Sequence, residues 1–335
     1  MNLVTGATGF LGSYIAEKLV QKGQKVRALV RPTSNTAFID TLGVEKAVGD
    51  LGDPDSLERA CRDVEVVYHT AAQVGDWGPW EAFQKHTIDA TDNIARAAQK
   101  AGVRRFLHVS SISAYGNPNG KNLVLDESAP LGANVHRWSY YTIAKVQAER
   151  NLWKMNQEEG FPLTVIRPSW IYGPRDRTSI ARLHRMITTG KIKILGSGEN
   201  RLNTVFAGNV ADACLLAATN EKAVGELYNC SNDGYITQND FLKLWAEAFG
   251  CEGPKRKVPY GIAISAAFLC ECFGRLVKMK KAPFITRYSV WLMGREVYFP
   301  ADKARKELGW ESQVSYEQGV KRTAEWYLKR MEALS

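Results

Sequence analysis

A doubly wound α/β fold, a parallel sheet with helices on both faces, is what this sequence predicts, and three observations predict it. Strand-like and helical stretches alternate through the first half of the chain. The strand-like stretches are short apolar runs, as strands covered on both faces are. The first of them runs into Gly6, Gly9 and Gly12 and then directly into a helical pattern. Together these describe a Rossmann-type sheet, in which ligands sit beyond the carboxyl ends of the strands.

In chain order, the opening apolar run is the first strand. Glycines let backbone N–H groups approach a phosphate, and the helix behind them points its positive end at it. The turn Thr5-Gly-Ala-Thr-Gly-Phe-Leu-Gly12 is therefore expected to hold a nucleotide pyrophosphate through Gly6, Thr8, Gly9, Phe10 and Leu11. Its spacing, G-x-x-G-x-x-G, is one residue wider at the first gap than the usual dinucleotide fingerprint. Further buried strands are read at Val26–Val30, Val44–Val48, Val64–Tyr68, Arg105–Val109 and Leu163–Ile166, with helices over 9–22, 54–61, 80–101 and 139–159.

The residues that follow each strand are the candidates for ligand contact. After the second strand stands Arg31-Pro-Thr-Ser-Asn35, where an acidic residue would grip the ribose 2′-hydroxyl of NAD. Arg31, with Ser34 and Asn35 as further donors, suits a 2′-phosphate because guanidinium meets phosphate in a fork geometry. NADP(H) is thus favoured over NAD(H). The competing reading makes Arg31 a solvent-exposed loop arginine. After the third strand, Asp50 and Leu51 stand where an adenine would lie, and Asp53 reads as the cap of the next helix. After the fourth, Ala71 and Ala72 leave room for a cofactor against the backbone. His69 and His108, within or at the ends of apolar strands, read as core histidines.

The fifth strand ends in Val109-Ser-Ser-Ile-Ser-Ala-Tyr-Gly116, and Tyr140-Tyr-Thr-Ile-Ala-Lys145 follows. Tyr141 and Lys145 are four apart on a helical pattern and share one face. A tyrosine is a poor acid at neutral pH, and a lysine ammonium one turn away lowers its pKa. With Ser111 hydrogen-bonding the same carbonyl or alcohol, these residues can move a proton while a nicotinamide moves a hydride.

Composition bounds the alternatives. The chain has 335 residues, 45% hydrophobic and 24% charged, long enough for a large core in two lobes. Its six cysteines show no Cys-x-x-Cys spacing or partner histidines, which suits reduced thiols in a cytoplasmic protein and no metal site. Strand-like pattern from residue 2 argues against a signal peptide. The net charge of +9 is mostly interleaved with acids, apart from Lys255–Lys257 and Arg275–Lys281, so a nucleic-acid partner is not expected.

On the Thr5–Gly12 turn, Asp50-Leu51, Ala71-Ala72, Ser111, Tyr141/Lys145 and Arg167-Pro-Ser-Trp-Ile-Tyr-Gly-Pro174, the chain resembles an extended short-chain dehydrogenase/reductase over nearly its whole length. The resemblance implies that Ser111, Tyr141 and Lys145 form the catalytic triad, with Lys145 on the nicotinamide ribose. It places Pro168 to Ile171 at the nicotinamide carboxamide. It implies a homodimer through the helices near 80–101 and 139–159. It also implies interleaved lobes: 1–173 plus about 205–233 for the cofactor, and 174–204 plus 234–335 as a smaller substrate lobe. A helix over about 178–189, a strand-like Gly225–Cys230 and a closing helix over 315–331 fit that plan, the last as packing. One departure is Thr87, where the family often has asparagine; a threonine can still hold a water.

For the substrate, Gln73, Trp77 and Trp80 follow the fourth strand and Trp138 precedes the tyrosine, offering flat apolar walls. The apolar stretch Tyr260–Phe273 is too short to span a bilayer. It reads as a core helix or substrate lid, or as a helix lying on an anionic membrane surface through 260–281. The mixture is most similar to the 3β-hydroxysteroid dehydrogenase and dihydroflavonol reductase branch. That implies a secondary alcohol or ketone on a bulky, mostly apolar small molecule: a steroid, a flavanonol or a β-keto acid. The rival enzyme is a nucleotide-sugar epimerase, with Arg175, Arg177 and Arg201 on the diphosphate. A sugar 4,6-dehydratase would carry an Asp-Glu pair where Ile112-Ser113 stands. A non-enzymatic NADP-sensing regulator would lack the Tyr-Lys pair.

Overall fold

The computed structural model describes residues 1–118, 120, 122–231 and 234–333. Its centre is a seven-stranded sheet, every pairing parallel: β1 Asn2–Thr5, β2 Val26–Val30, β3 Glu45–Val48, β4 Val66–His69, β5 Arg105–Val109, β6 Leu163–Pro168 and β7 Glu226–Cys230. The strand order is β7-β6-β5-β4-β1-β2-β3, with the order reversing at β1 and β4. That reversal opens a crevice at the carboxyl ends of β1 and β4, where such sheets bind ligands.

Two strands differ from the sequence expectation. The expected buried strand Val44–Val48 is a mostly exposed edge strand, Glu45–Val48, whose Glu45 pairs with Arg27 at 2.5 Å. The fourth strand, Val66–His69, starts two residues later than the expected Val64–Tyr68 and takes in His69. The helix Phe10–Gln21 buries Leu11, Ile15 and Leu19 in the core. It packs on Ala207–Thr219, where Lys18 meets Asp212 at 2.7 Å. Asp53 caps Pro54–Ala60 as expected, accepting from the Ser56 N–H.

The helix expected over 80–101 is regular only at its ends. Trp80–Phe83 and Ala90–Lys100 are α-helical, but Gln84–Asp89 between them is π-helical, six residues with a wider turn. Against it lies Tyr140–Glu159, which ends on Gly160 in the left-handed conformation. The two are tied by Asn151 to Asp92 at 2.8 Å and by Arg96 to Glu159 at 2.5 Å. Neither helix shows a large exposed apolar side chain among the described residues.

The chain beyond 168 weaves in and out of the sheet. Trp170–Tyr172 pairs with Thr204–Phe206, β7 returns beside β6, and the boundary expected at 233 lies outside the described residues. Near the C-terminus Trp310 is fully buried, giving its indole N–H to the Asn209 carbonyl at 2.8 Å, so this stretch packs on the Ala207–Thr219 helix, and the Tyr316–Glu332 helix packs on Gln238–Ala248. All six cysteines are free thiols. No described helix is long and apolar enough to cross a membrane.

Candidate active site

The glycine turn sits at the carboxyl end of β1. Gly6 has φ +73°, and a Cβ there would lie 2.7 Å from the Thr70 hydroxyl. A Cβ on Gly12 would stand 2.2 Å from the Gly6 carbonyl oxygen, so the helix can begin this close to the strand only on glycine. Gly9 caps that helix with no side chain bonded to its first N–H groups, which leaves them for an anion. Gly9 is exposed, with Gly6, Thr8 and Phe10 half-buried around it and Leu11 turned into the core.

Arg31 is exposed, and its guanidinium makes no ion pair or hydrogen bond among the described residues, while its backbone N–H is held by the Ser34 hydroxyl at 3.1 Å. Asn35 accepts from the Ala37 N–H at 3.1 Å. Asp50 turns one carboxylate oxygen back to the Gly52 N–H at 2.8 Å, and the Leu51 carbonyl takes the Asn93 amide at 2.8 Å. Ala71 and Ala72 are half-buried at the end of β4. Pro168 ends β6, and Ile171 lies in the short strand after it.

Ser111, two residues beyond β5, caps the short 3₁₀ turn Ile112–Tyr115, its Oγ accepting from the Ser113 N–H at 3.1 Å. The hydroxyl proton therefore stays free to donate. Tyr141, in the first turn of Tyr140–Glu159, points its phenol at this turn. Burial raises its pKa, and the neighbouring Ser111 and Ser113 hydroxyls pull against that. One turn on, Lys145 turns down to the sheet and donates to the Val109 carbonyl at 3.0 Å. Burial lowers Lys145 to about 8, against the pull of Glu149 one turn on.

Glu149 is itself fully buried and satisfied by Ser110 at 2.6 Å, Trp153 at 3.0 Å and two contacts from Arg167, so Lys145 stands beside a neutralised pair. Beneath it the rings of His69 and His108 stack at 5.5 Å in the sheet. His69 bonds Thr5 at 2.7 Å and Thr91 at 3.0 Å. Desolvation lowers His69 to about 3 and His108 well below its ordinary value, so both are neutral core rings, as the sequence suggests.

Beside Tyr141 a narrow cleft is lined by Asp76, Trp77, His136, Trp138, Ser139, Glu271, Arg275, Arg287 and Tyr288, with room between the side chains for little more than a water molecule. Tyr288 meets Tyr141 edge-on at 6.0 Å between ring centres, and burial together with the Tyr141 phenol raises its own pKa. The Arg275 guanidinium lies among Trp77, Tyr140 and Trp138 at 4.7, 4.7 and 5.4 Å from their ring centres. It donates to the Trp138 carbonyl at 3.1 Å, but its buried Nε has no partner. Arg287 by contrast is committed to Glu271 at 2.7 Å.

Of the four expected substrate residues, Trp77 and Trp138 line the cleft. Trp80 instead packs on Tyr140 with Phe83, Ile88 and Ala144. Gln73 gives its N–H to the Thr87 hydroxyl at 3.1 Å, so Thr87 fixes the loop after β4 directly from the π-helical turn. Tyr288, Arg287 and Asp76 went unnoticed in the sequence. Tyr288 and Arg287 stand at the start of a helix whose Thr286 cap is bonded to Asp76, a join between residues 210 apart. The three arginines suggested for a diphosphate are dispersed. Arg175 is paired with Glu17 and stacked on Tyr14, Arg201 lies on Tyr298, and Arg177 is exposed in a loop.

The model of the NAD dependent epimerase/dehydratase family matches residues 2–231 of this chain. A ketoreductase of Stigmatella aurantiaca, named for a 4-hydroxy-2-methyl-3-oxo-4-farnesyl-3,4-dihydroquinoline-1-oxide, is 32% identical over 320 residues, 95% of this chain and 93% of its own. The 2-alkyl-3-oxoalkanoate reductase of Stenotrophomonas maltophilia (strain K279a) is 27% identical over 96% of this chain and 97% of its own. Among solved structures, UDP-glucose 4-epimerase from Thermotoga maritima superposes with a TM-score of 0.77 at 26% identity, over 99% of this chain and 100% of that one.

Proposed function

Because this chain belongs to the NAD dependent epimerase/dehydratase family, we propose that it interconverts a ketone and a secondary alcohol on a bulky, mostly apolar substrate that carries a carboxylate, with NADP(H) as cofactor. It is an NAD(P)-binding oxidoreductase acting on CH–OH groups, as the ketoreductases to which it is similar are. The observation that carries the proposal is the cleft. The Tyr141 phenol packs on Tyr288, which lines a narrow cleft whose aromatic walls end in an arginine with an unpartnered Nε. Aromatic walls suit an apolar body that parts them on binding, and a carboxylate would meet the guanidinium in its fork geometry.

The residues of the glycine turn fit a dinucleotide: an uncapped helix start holds the pyrophosphate, and a free Arg31 stands where a 2′-phosphate would be read. When bound, the nicotinamide supplies or accepts the hydride. Tyr141 passes its phenolic proton to the carbonyl oxygen as the carbon is reduced, and takes it back in the reverse direction. Ser111 donates to the same oxygen and holds its angle. Lys145 holds the nicotinamide ribose, with its ammonium one helical turn from the phenol. In this scheme 1–173 with about 205–233 carries the cofactor, and 174–204 with 234–335 supplies the cleft wall.

The test is a comparison of NADPH and NADH with 2-alkyl-3-oxo acids, their methyl esters and steroid ketones, on the native chain and on Tyr141→Phe. The native chain is expected to oxidise NADPH in preference to NADH. The variant should lose turnover by about 10²–10⁴-fold, the usual contribution of a general acid, while its NADPH affinity stays. Turnover surviving in Tyr141→Phe would remove the tyrosine from the acid–base role. Oxidation of NADH alone would remove Arg31 from the cofactor.

A further inference from the structure

The helix Tyr260–Leu276 is packed the opposite way round from a core helix. The residues it buries are Ala263, Ala267, Glu271 and Gly274, while its bulky apolar side chains face out. Ile262 is 62% exposed, Leu269 66%, Phe273 62% and Leu276 81%, a stripe at three- and four-residue spacing along one face. Val277, Met279 and Phe284 continue this surface past the helix end. Soluble proteins rarely leave so many large apolar side chains contiguous in water.

Charge is gathered at the same place. Residues 251–295 hold nine basic and two acidic residues, a net +7 out of the +9 of the whole chain. One of the two acids, Glu271, is buried against Arg287, and the other, Glu252, pairs with Lys255. Lys278, Lys280 and Lys281 are exposed and make no ion pair among the described residues. Beside Phe284 a shallow hollow adds Arg182, Arg185 and Lys191 around Met186 and Pro283. Its lining, cationic at the rim and apolar within, matches the phosphate and upper acyl chain of a phospholipid.

We propose that this face docks on an anionic phospholipid bilayer, with Ile262, Leu269, Phe273 and Leu276 entering the headgroup boundary and the lysines and arginines holding lipid phosphates. A helix of 17 residues lying in the interface needs no span, only an apolar face with cations around it. A second protein surface would need matching acids and a fitted shape, whereas a bilayer offers negative charge everywhere and yields to a convex face. The cleft beside Tyr141 borders this helix, since Phe268 stacks on Trp138 at 6.3 Å and Arg275 reaches in from its last turn. The docked site therefore opens beside the phase into which apolar ketones partition. The docking itself does not depend on which ketone is reduced.

The experiment is sedimentation of the full chain with vesicles of phosphatidylcholine alone and of phosphatidylcholine mixed with phosphatidylglycerol. Lipid-free analytical ultracentrifugation runs alongside. The chain is expected to pellet with the anionic vesicles only, and to be released as salt rises from about 0.1 M to about 1 M and the screening length falls from ~10 Å to ~3 Å. Lys278→Gln/Lys280→Gln/Lys281→Gln should weaken partitioning by about a hundredfold, roughly fivefold per lysine. Leu269→Glu/Leu276→Glu should abolish it. These side chains are mostly in solvent, so neither variant should change the circular dichroism or NADPH oxidation with a water-soluble ketone. Equal binding to neutral vesicles, or none to either, overturns the proposal. So does a lipid-free dimer that Leu269→Glu/Leu276→Glu turns into a monomer, which would assign the face to a second copy of this chain.

Discussion

Arg275 is held by rings on three sides and by one carbonyl, and a buried guanidinium nitrogen without a partner carries a desolvation cost that a ligand can relieve. Arg275→Leu keeps much of the aliphatic stem against Trp77 and removes the charge. It is expected to raise KM for a 2-alkyl-3-oxo acid by about 10–100-fold, the scale of a charge-assisted hydrogen bond, and to leave KM for the methyl ester within about threefold. Equal effects on acid and ester would mean that the residue shapes the cleft rather than reads a carboxylate. The glycines, Ser111, Tyr141, Lys145 and Arg31 were legible in the sequence because each is defined by spacing from a strand end. Arg275 was legible only as part of a basic cluster. Its role depends on rings from residues 77, 138 and 140, which the fold alone brings round it.

The stretch from Trp80 to Lys100 shows what an element can do that its residues do not announce. Helical periodicity predicted one continuous helix, and most of it is helical. The six-residue π segment shifts the register, so that Thr87 faces the backbone after β4 and accepts from the Gln73 N–H. Such wide turns recur at functional sites because they re-aim one side chain without ending the helix. Thr87→Val, equal in shape, leaves that N–H without its partner. It should lower the unfolding free energy by about 1–3 kcal/mol and raise KM for the ketone by loosening the Gln73–Trp80 loop. Thr87→Asn restores an acceptor and should recover most of both, which denaturant melts and initial rates will read. No loss in Thr87→Val would make the hydrogen bond incidental. The reversed helix Tyr260–Leu276 carries the same lesson: its periodicity announced an apolar face, but not which way that face turns.

At the scale of the whole molecule the parallel sheet buries His69 and His108 side by side, both neutral because burial disfavours the charged ring. Their folded pKa values lie below the unfolded value near 6.5. The stability this reflects is complete above that pH and is lost as pH falls toward His69's own value of about 3. Together they should cost about 2.7 kcal/mol of stability per pH unit below about pH 6. His108→Phe should remove half of that slope in urea melts between about pH 7 and pH 5, and an unchanged slope would mean that the ring titrates in the folded state. The pattern of charge belongs to this scale too, since a net +7 in 251–295 gives the molecule one basic, apolar pole. By itself the sequence determined the parallel sheet, the glycine turn after its first strand and the placing of Ser111, Tyr141 and Lys145. These follow from alternation, glycine spacing and helical period, which are local. Only the tertiary structure decided the edge exposure of Glu45–Val48, the downward turn of Lys145, the cleft shared by Trp77, Trp138, Arg275 and Tyr288, and the outward face of Tyr260–Leu276. Each depends on contacts between segments far apart in the chain, and a hydrophobic pattern states that a face is apolar without stating what, if anything, will cover it.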